Sequence, residues 1–226
     1  CLRFWLSSCR TSLAVSALRI MRYCLEFCHF VVAMAGGVQY TKGKGSPVPH
    51  PARKERCPVL FRLTPAESAC VDEILRGYAD NPHAQHMKDF IQHGTVTTYE
   101  HCMRVVRIAF WLNRRLGLAA DEVSLVRGAF LHDFYLYDWH HCKDITHWHG
   151  FKHPQAALYN AETVFDLNDT EKDCIRCHMW PLTVTAVPHT REAVLVGTAD
   201  KISSGWETVM ERRAVRKKRV ENLKKR

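Results

Sequence analysis

Beyond Thr64, apolar residues recur at helical spacing through most of the chain, and polar capping signals mark where each run begins. Thr64-Pro65-Ala66-Glu67 places an N-cap residue, a proline at the first helical position and a capping-box glutamate in succession. It predicts a helix running toward Tyr78, ended by Asn81-Pro82, with a short segment around Met87, Phe90 and Ile91 behind it. Thr97-Thr98-Tyr99-Glu100 is a second capping box; Val105, Ile108, Leu112 and Leu116 follow on one stripe, and Gly117 stops the helix. Asp121 to Tyr135 predicts the next helix, with Val126, Ala129, Phe130 and Asp133 on one face. A histidine- and aromatic-rich loop is expected over Tyr137 to Lys152, and a helix from Pro154 through Phe165 with His153 at its cap. Asn168-Asp169-Thr170-Glu171 caps a helix that ends at Trp180-Pro181, and a last core helix covers Glu192 to Ser204. No strand pattern of any length and no internal repeat is visible, so the expected fold is all-α.

Several polar residues interrupt the apolar faces of these helices. They are His101, the His132-Asp133 pair, His178 and Asp200, with His153 at a helix cap. A buried carboxylate is costly unless something compensates it, and a cation does so well. Imidazole with carboxylate suits manganese or iron; carboxylate with water suits magnesium. One buried histidine is ordinarily a satisfied core residue, but five such positions within one hundred residues are poorly explained as independent accidents.

Composition changes this picture little. The chain has 226 residues, 46% apolar and 24% charged, enough for one domain with a real core. The formal net charge of +9 is partly local to the basic stretch from Glu211 to Arg226, which reads as a solvated helix end or tail, with nucleic acid a less favoured partner. The 10 cysteines are scattered and predict reduced, buried thiols in a cytoplasmic protein rather than a disulfide scaffold. Arg10, Arg19, Arg22 and Glu26 break every apolar window of the first forty residues, so neither a signal peptide nor a membrane span is expected there. The leader reads as an upstream extension, with a natural start at Met21 or Met34, followed by a Gly- and Pro-rich linker over Tyr40 to Cys57.

His101, Phe130-Leu131-His132-Asp133 and Thr198-Ala199-Asp200-Lys201 resemble, in order, the H…HD…D signature of the HD-domain metal-dependent phosphohydrolases. The resemblance spans roughly Thr64 to Trp206 and implies a helical bundle of about five to seven helices. It implies a domain over 61–206, with a poorly structured segment over 1–60 and a basic helix or tail over 207–226. His153-Pro154 is similar to the His-Pro helix start of two-metal members, and His178 falls where those members supply a further histidine. By that resemblance His101, His132, Asp133 and Asp200 hold one divalent ion, and His153 and His178 a second, with Asp133 bridging. Manganese, iron, magnesium and cobalt are all open, and His149 rivals His153 for the same role. The implied activity is hydrolysis of a phosphomonoester or phosphodiester of a nucleotide-like substrate by a metal-activated water. Lys201, His147 and His149 are candidates for phosphate contact, with a plain surface role for Lys201 equally open, and Trp139, Trp148 and Trp180 for stacking on a base or for core packing. Two other readings compete. Cys174-Ile175-Arg176-Cys177-His178 fits the c-type haem attachment pattern, although attachment requires export and the motif lies inside a capped helix. A tetrahedral zinc site lacks a second cysteine pair. A non-catalytic metal- or nucleotide-binding module is the third class, against which the complete ligand set argues.

Overall fold

A computed structural model describes residues 59–138 and 149–224. The expected leader and the whole of the linker therefore lie outside the described residues, as do Trp139, His147 and Trp148. Seven α-helices form the body: α1 (Pro65–Ile74), α2 (Pro82–Gln85), α3 (Thr98–Leu116), α4 (Glu122–Leu131), α5 (His149–Val164), α6 (Asp169–Cys177) and α7 (Arg191–Lys224). All three anticipated capping boxes close. Thr64, Thr97 and Asn168 each accept from the backbone three residues on, and Glu67, Glu100 and Glu171 reach back to the cap nitrogen. Gly117 ends α3 in the left-handed conformation, φ 60° and ψ 41°.

The core lies where α3 packs on α4 and α7, α4 on α6, and α6 on both α5 and α7. Phe110, Phe130, Phe134, Ile108, Leu125, Ile175 and Leu195 are fully buried there. Gly128 on α4 permits the closest of these approaches. A Cβ at that position would lie 2.6 Å from the Cβ of Cys174 on α6.

Four expectations about element limits are corrected. Helix α4 stops at Leu131, leaving His132 as its C-cap and Asp133 in the following turn. Helix α5 starts at His149 and contains Pro154, which cannot donate to the Gly150 carbonyl one turn back and sets its ring against it. His149 is therefore a first-turn helical residue and not a loop residue. Helix α7 runs 34 residues to Lys224, because the fading of the apolar stripe after Ser204 carries no stop signal with it. A two-stranded antiparallel hairpin, β1 (Ile91–His93) and β2 (Val96–Thr97), precedes α3 and turns at Gly94, φ 60°. It is too short to leave an alternating signature, and the fold is otherwise all-α.

Candidate metal centre

Two groups of side chains converge inside the bundle. His101, His132 and Asp200 form one, Asp133, His153 and His178 the other, and within each the potential ligand atoms lie within 4.8 Å of one another. All six residues are buried. They come from α3, the ends of α4 and α6, α5 and α7, so every major helix except α1 contributes. The Asp133 carboxylate lies between the groups. Its Oδ2 is 3.3 Å from His132 Nε2 and 3.7 Å from His101 Nε2, whereas its Oδ1 is 3.2 Å from His153 Nε2 and 3.6 Å from His178 Nε2.

Local backbone geometry aims two of the rings. His132 and His178 are both C-cap residues, and the last carbonyls of a helix have no partner within it. Each imidazole takes such a carbonyl three residues back: His132 Nδ1 lies 2.8 Å from the Ala129 oxygen, and His178 Nδ1 lies 2.8 Å from the Ile175 oxygen. Donation from Nδ1 leaves the Nε2 lone pair facing the centre, the tautomer a metal ligand requires. The ends of α4 and α6 thus build the same device twice.

The remaining contacts come from residues that the sequence pattern did not single out. Gln92 of β1 donates from Nε2 to Asp133 Oδ2 at 2.7 Å, and is itself held by the Tyr135 hydroxyl, which lies 3.2 Å from Thr98 Oγ1. Glu207 of α7 sits 2.9 Å from His101 Nδ1 and pairs with Arg104. Alternation in β1 is too brief to mark Gln92, and Glu207 lies among many charged residues. Their signal is spatial.

The electrostatics are those of a site made for cations. Burial opposes the charged form of His132, yet Asp133 lifts its pKa well above the ordinary value. Burial likewise opposes ionised Asp133 and Asp200, and the surrounding histidines bring both well below the carboxylate range. His101 is pushed up to about 10, Glu207 and Asp200 overcoming its burial. His178 goes the other way, to about 3, through burial and the neighbouring His153 and His132. His153 Nε2 and His178 Nε2 face each other at 2.8 Å. His132 Nε2 and Asp133 Oδ1 are buried without a hydrogen bond. Each such atom costs about 1–3 kcal/mol, a large share of the roughly 5–15 kcal/mol that holds a domain together. A divalent cation accepted by imidazole nitrogens and carboxylate oxygens removes that cost, so the donor set fits one.

The other candidate residues lie at varying distance from this chemistry. Lys201 Nζ donates to the carbonyls of His178 and Gly197, at 2.9 and 3.0 Å, which ties α7 to the end of α6 and leaves one of its three donors. Trp180, half-buried, is in the turn after α6. Cys174 and Cys177 are buried free thiols. Burial drives the Cys174 thiol well up, and burial with the nearby Asp173 carboxylate raises Cys177 to about 11. Cys174 faces Gly128 and Cys177 faces Asp173 and the Val187 carbonyl. Thiols packed between helices in this way offer no edge to a porphyrin, and the C-x-x-C-H spacing is a helical coincidence.

A helical bundle that brings two buried His/Asp groups to one point is compatible with binding of a divalent metal. Residues 98–205 match the family model of the HD domain, and this match supports membership of the HD-domain superfamily of metal-dependent phosphohydrolases. No curated protein and no solved structure matches it. Among the described residues no helix is long and apolar enough to cross a membrane.

Proposed function

We propose that the protein is a two-metal phosphohydrolase that cleaves a phosphate ester of a nucleotide-like substrate. The observation that carries this reading is the position of Asp133, one oxygen toward each of two ligand groups. His101, His132, Asp133 and Asp200 would hold the first divalent ion, and His153 and His178, again with Asp133, would hold the second. Bound cations would supply a water of lowered pKa and neutralise charge developing on the phosphoryl group. The chain's own part is orientation. The helix-end carbonyls of Ala129 and Ile175 fix the rings of His132 and His178, and Gln92 fixes the Asp133 carboxylate. Between His153 and His149, the reading favours His153 as the ligand, because its Nε2 lies within reach of both Asp133 and His178. His149, at the start of α5, His147, and the spare donor of Lys201 are assigned to substrate phosphate. The functional unit is placed over 61–206, between the segment 1–60 and the basic end over 207–226.

The test is a phosphoester panel with manganese, iron, magnesium and cobalt, run beside metal analysis on the wild type and Asp133→Ala. Nucleotide esters should be hydrolysed by the wild type, and the variant should lose both metal and turnover. A wild type that retains no divalent metal, or a variant that keeps full activity, overturns the reading.

A further inference from the structure

Four histidines in the centre need their Nδ1 edges secured if Nε2 is to bind metal, and those of His132 and His178 are secured by carbonyls freed at a helix C-terminus. His101 has no such neighbour. It lies in the first turn of α3, where unpaired backbone groups are N–H donors rather than carbonyls. We infer that Glu207 supplies the missing acceptor and is a positioning residue of the first metal group. Its Oε1 accepts from His101 Nδ1 at 2.9 Å and from Ser203 Oγ at 2.9 Å, and Arg104, one turn beyond His101, pairs with the same oxygen. Glu207 is only 4% exposed. It stands two helical turns after Asp200 on α7, and Asp200 Oδ1 lies 3.2 Å from the other nitrogen of the same ring. One helix therefore grips His101 at both ends.

A carboxylate at this place does more than a carbonyl would. It fixes the Nδ1–H tautomer and makes Nε2 a stronger donor to a cation. Glu207 also lies past residue 205, where the match to the HD domain ends. The constellation is thus completed by a side chain two residues beyond the matched segment.

This inference rests on the metal-binding reading, and a Co²⁺ titration of the full chain against a competing chelator separates the two. Wild type, Glu207→Gln, Glu207→Ala and Arg104→Ala are compared, with melting of the metal-free proteins alongside. Glu207→Gln keeps the shape and loses the charge, so it reports even where Glu207→Ala fails to fold. One of two Co²⁺ ions should weaken by about 10–100-fold in Glu207→Gln, the usual effect of removing a partner behind a ligand, with the other unchanged. The visible Co²⁺ spectrum of the weakened site should shift. Arg104→Ala, which breaks the ion pair between α3 and α7 but leaves the carboxylate on His101, should lower the melting temperature more than it lowers Co²⁺ affinity. A wild type that binds no Co²⁺ defeats the functional reading itself. Wild-type binding with unchanged affinities in Glu207→Gln, or equal weakening of both ions, overturns the role given to Glu207 alone.

Discussion

Replacing Gly197 by Ala sets a methyl carbon 2.9 Å from the carbonyl oxygen of His178 and 3.5 Å from its Cα. Carbon and oxygen in close contact normally stand about 3.3–3.6 Å apart, so His178 and α7 must part by about 0.5 Å. Two effects on stability oppose each other. Alanine in a helix interior gains about 1 kcal/mol over glycine, while overpacking costs about 1–3 kcal/mol. The net loss is therefore about 0–2 kcal/mol, which at roughly 2–4 °C per kcal/mol is a fall of at most about 8 °C in melting temperature. The same displacement is large for a ligand, because a working site tolerates only about 0.5 Å. His178 carries its ring toward Asp133 and His153 on the backbone that moves, and Lys201, one turn beyond Gly197 on α7, donates to that same carbonyl. On the two-metal reading proposed above, the expected outcome is a folded protein depleted in one ion. Metal analysis and thermal melting on the same preparation check it. A Gly197→Ala protein with full metal content and wild-type turnover refutes the idea that this close approach sets the ligand.

Two further outcomes follow from residues around the centre. Asp173 is buried, which alone would raise its pKa, but the His189 N–H, the Cys177 thiol, Arg176 and the Thr190 N–H bring it from 3.8 to about 2. A lowered folded pKa stabilises above pH ~4 and is lost as pH falls from ~4 to ~2, a contribution of about 2 kcal/mol; urea unfolding of wild type and Asp173→Asn should converge across that window, and a constant gap would contradict the assignment. Gln92→Leu removes the donor to Asp133 Oδ2 and should weaken both ions together by about 10-fold or more, measured by chelator competition, in contrast to the one-ion effect at Glu207; undiminished affinity would show that Gln92 only packs.

Much of the candidate site was readable because its polar residues break otherwise apolar stripes. His101 among Val105 and Ile108, and Asp200 beside Val196, are anomalies a helical wheel exposes. Capping boxes at Thr64, Thr97 and Asn168 were likewise legible, since their signal is local. What escaped lacks a local signature. Glu207 meets His101 across 106 residues, and Gln92 meets Asp133 across 41; neither interrupts a pattern, so only the folded chain distinguishes them from solvated polar residues. Helix limits failed for a related reason. Periodicity reports burial, and the exposed last third of α7 is helical without being buried.

Glu207 is the last buried residue of α7 among those described, and Glu211, one turn on, still lies against Gly94 of the hairpin turn. Mechanically, α7 is a beam clamped at Glu207, with its exposed basic end beyond. At about 1.5 Å per residue, about 25 Å of helix overhangs the clamp to Lys224, and about 10 Å reaches back to Asp200. A rigid rod swinging about Glu207 would move Asp200 by roughly 0.4 Å for each 1 Å at the tip, which soon exceeds what a ligand tolerates. With α7 held at Glu207 by His101 and Arg104 and at Lys201 by the His178 carbonyl, the rod does not swing as a whole, and motion of the charged overhang would be taken up as bending outside the clamp. Contacts made by the basic end are in this way mechanically insulated from the aspartate on the same helix.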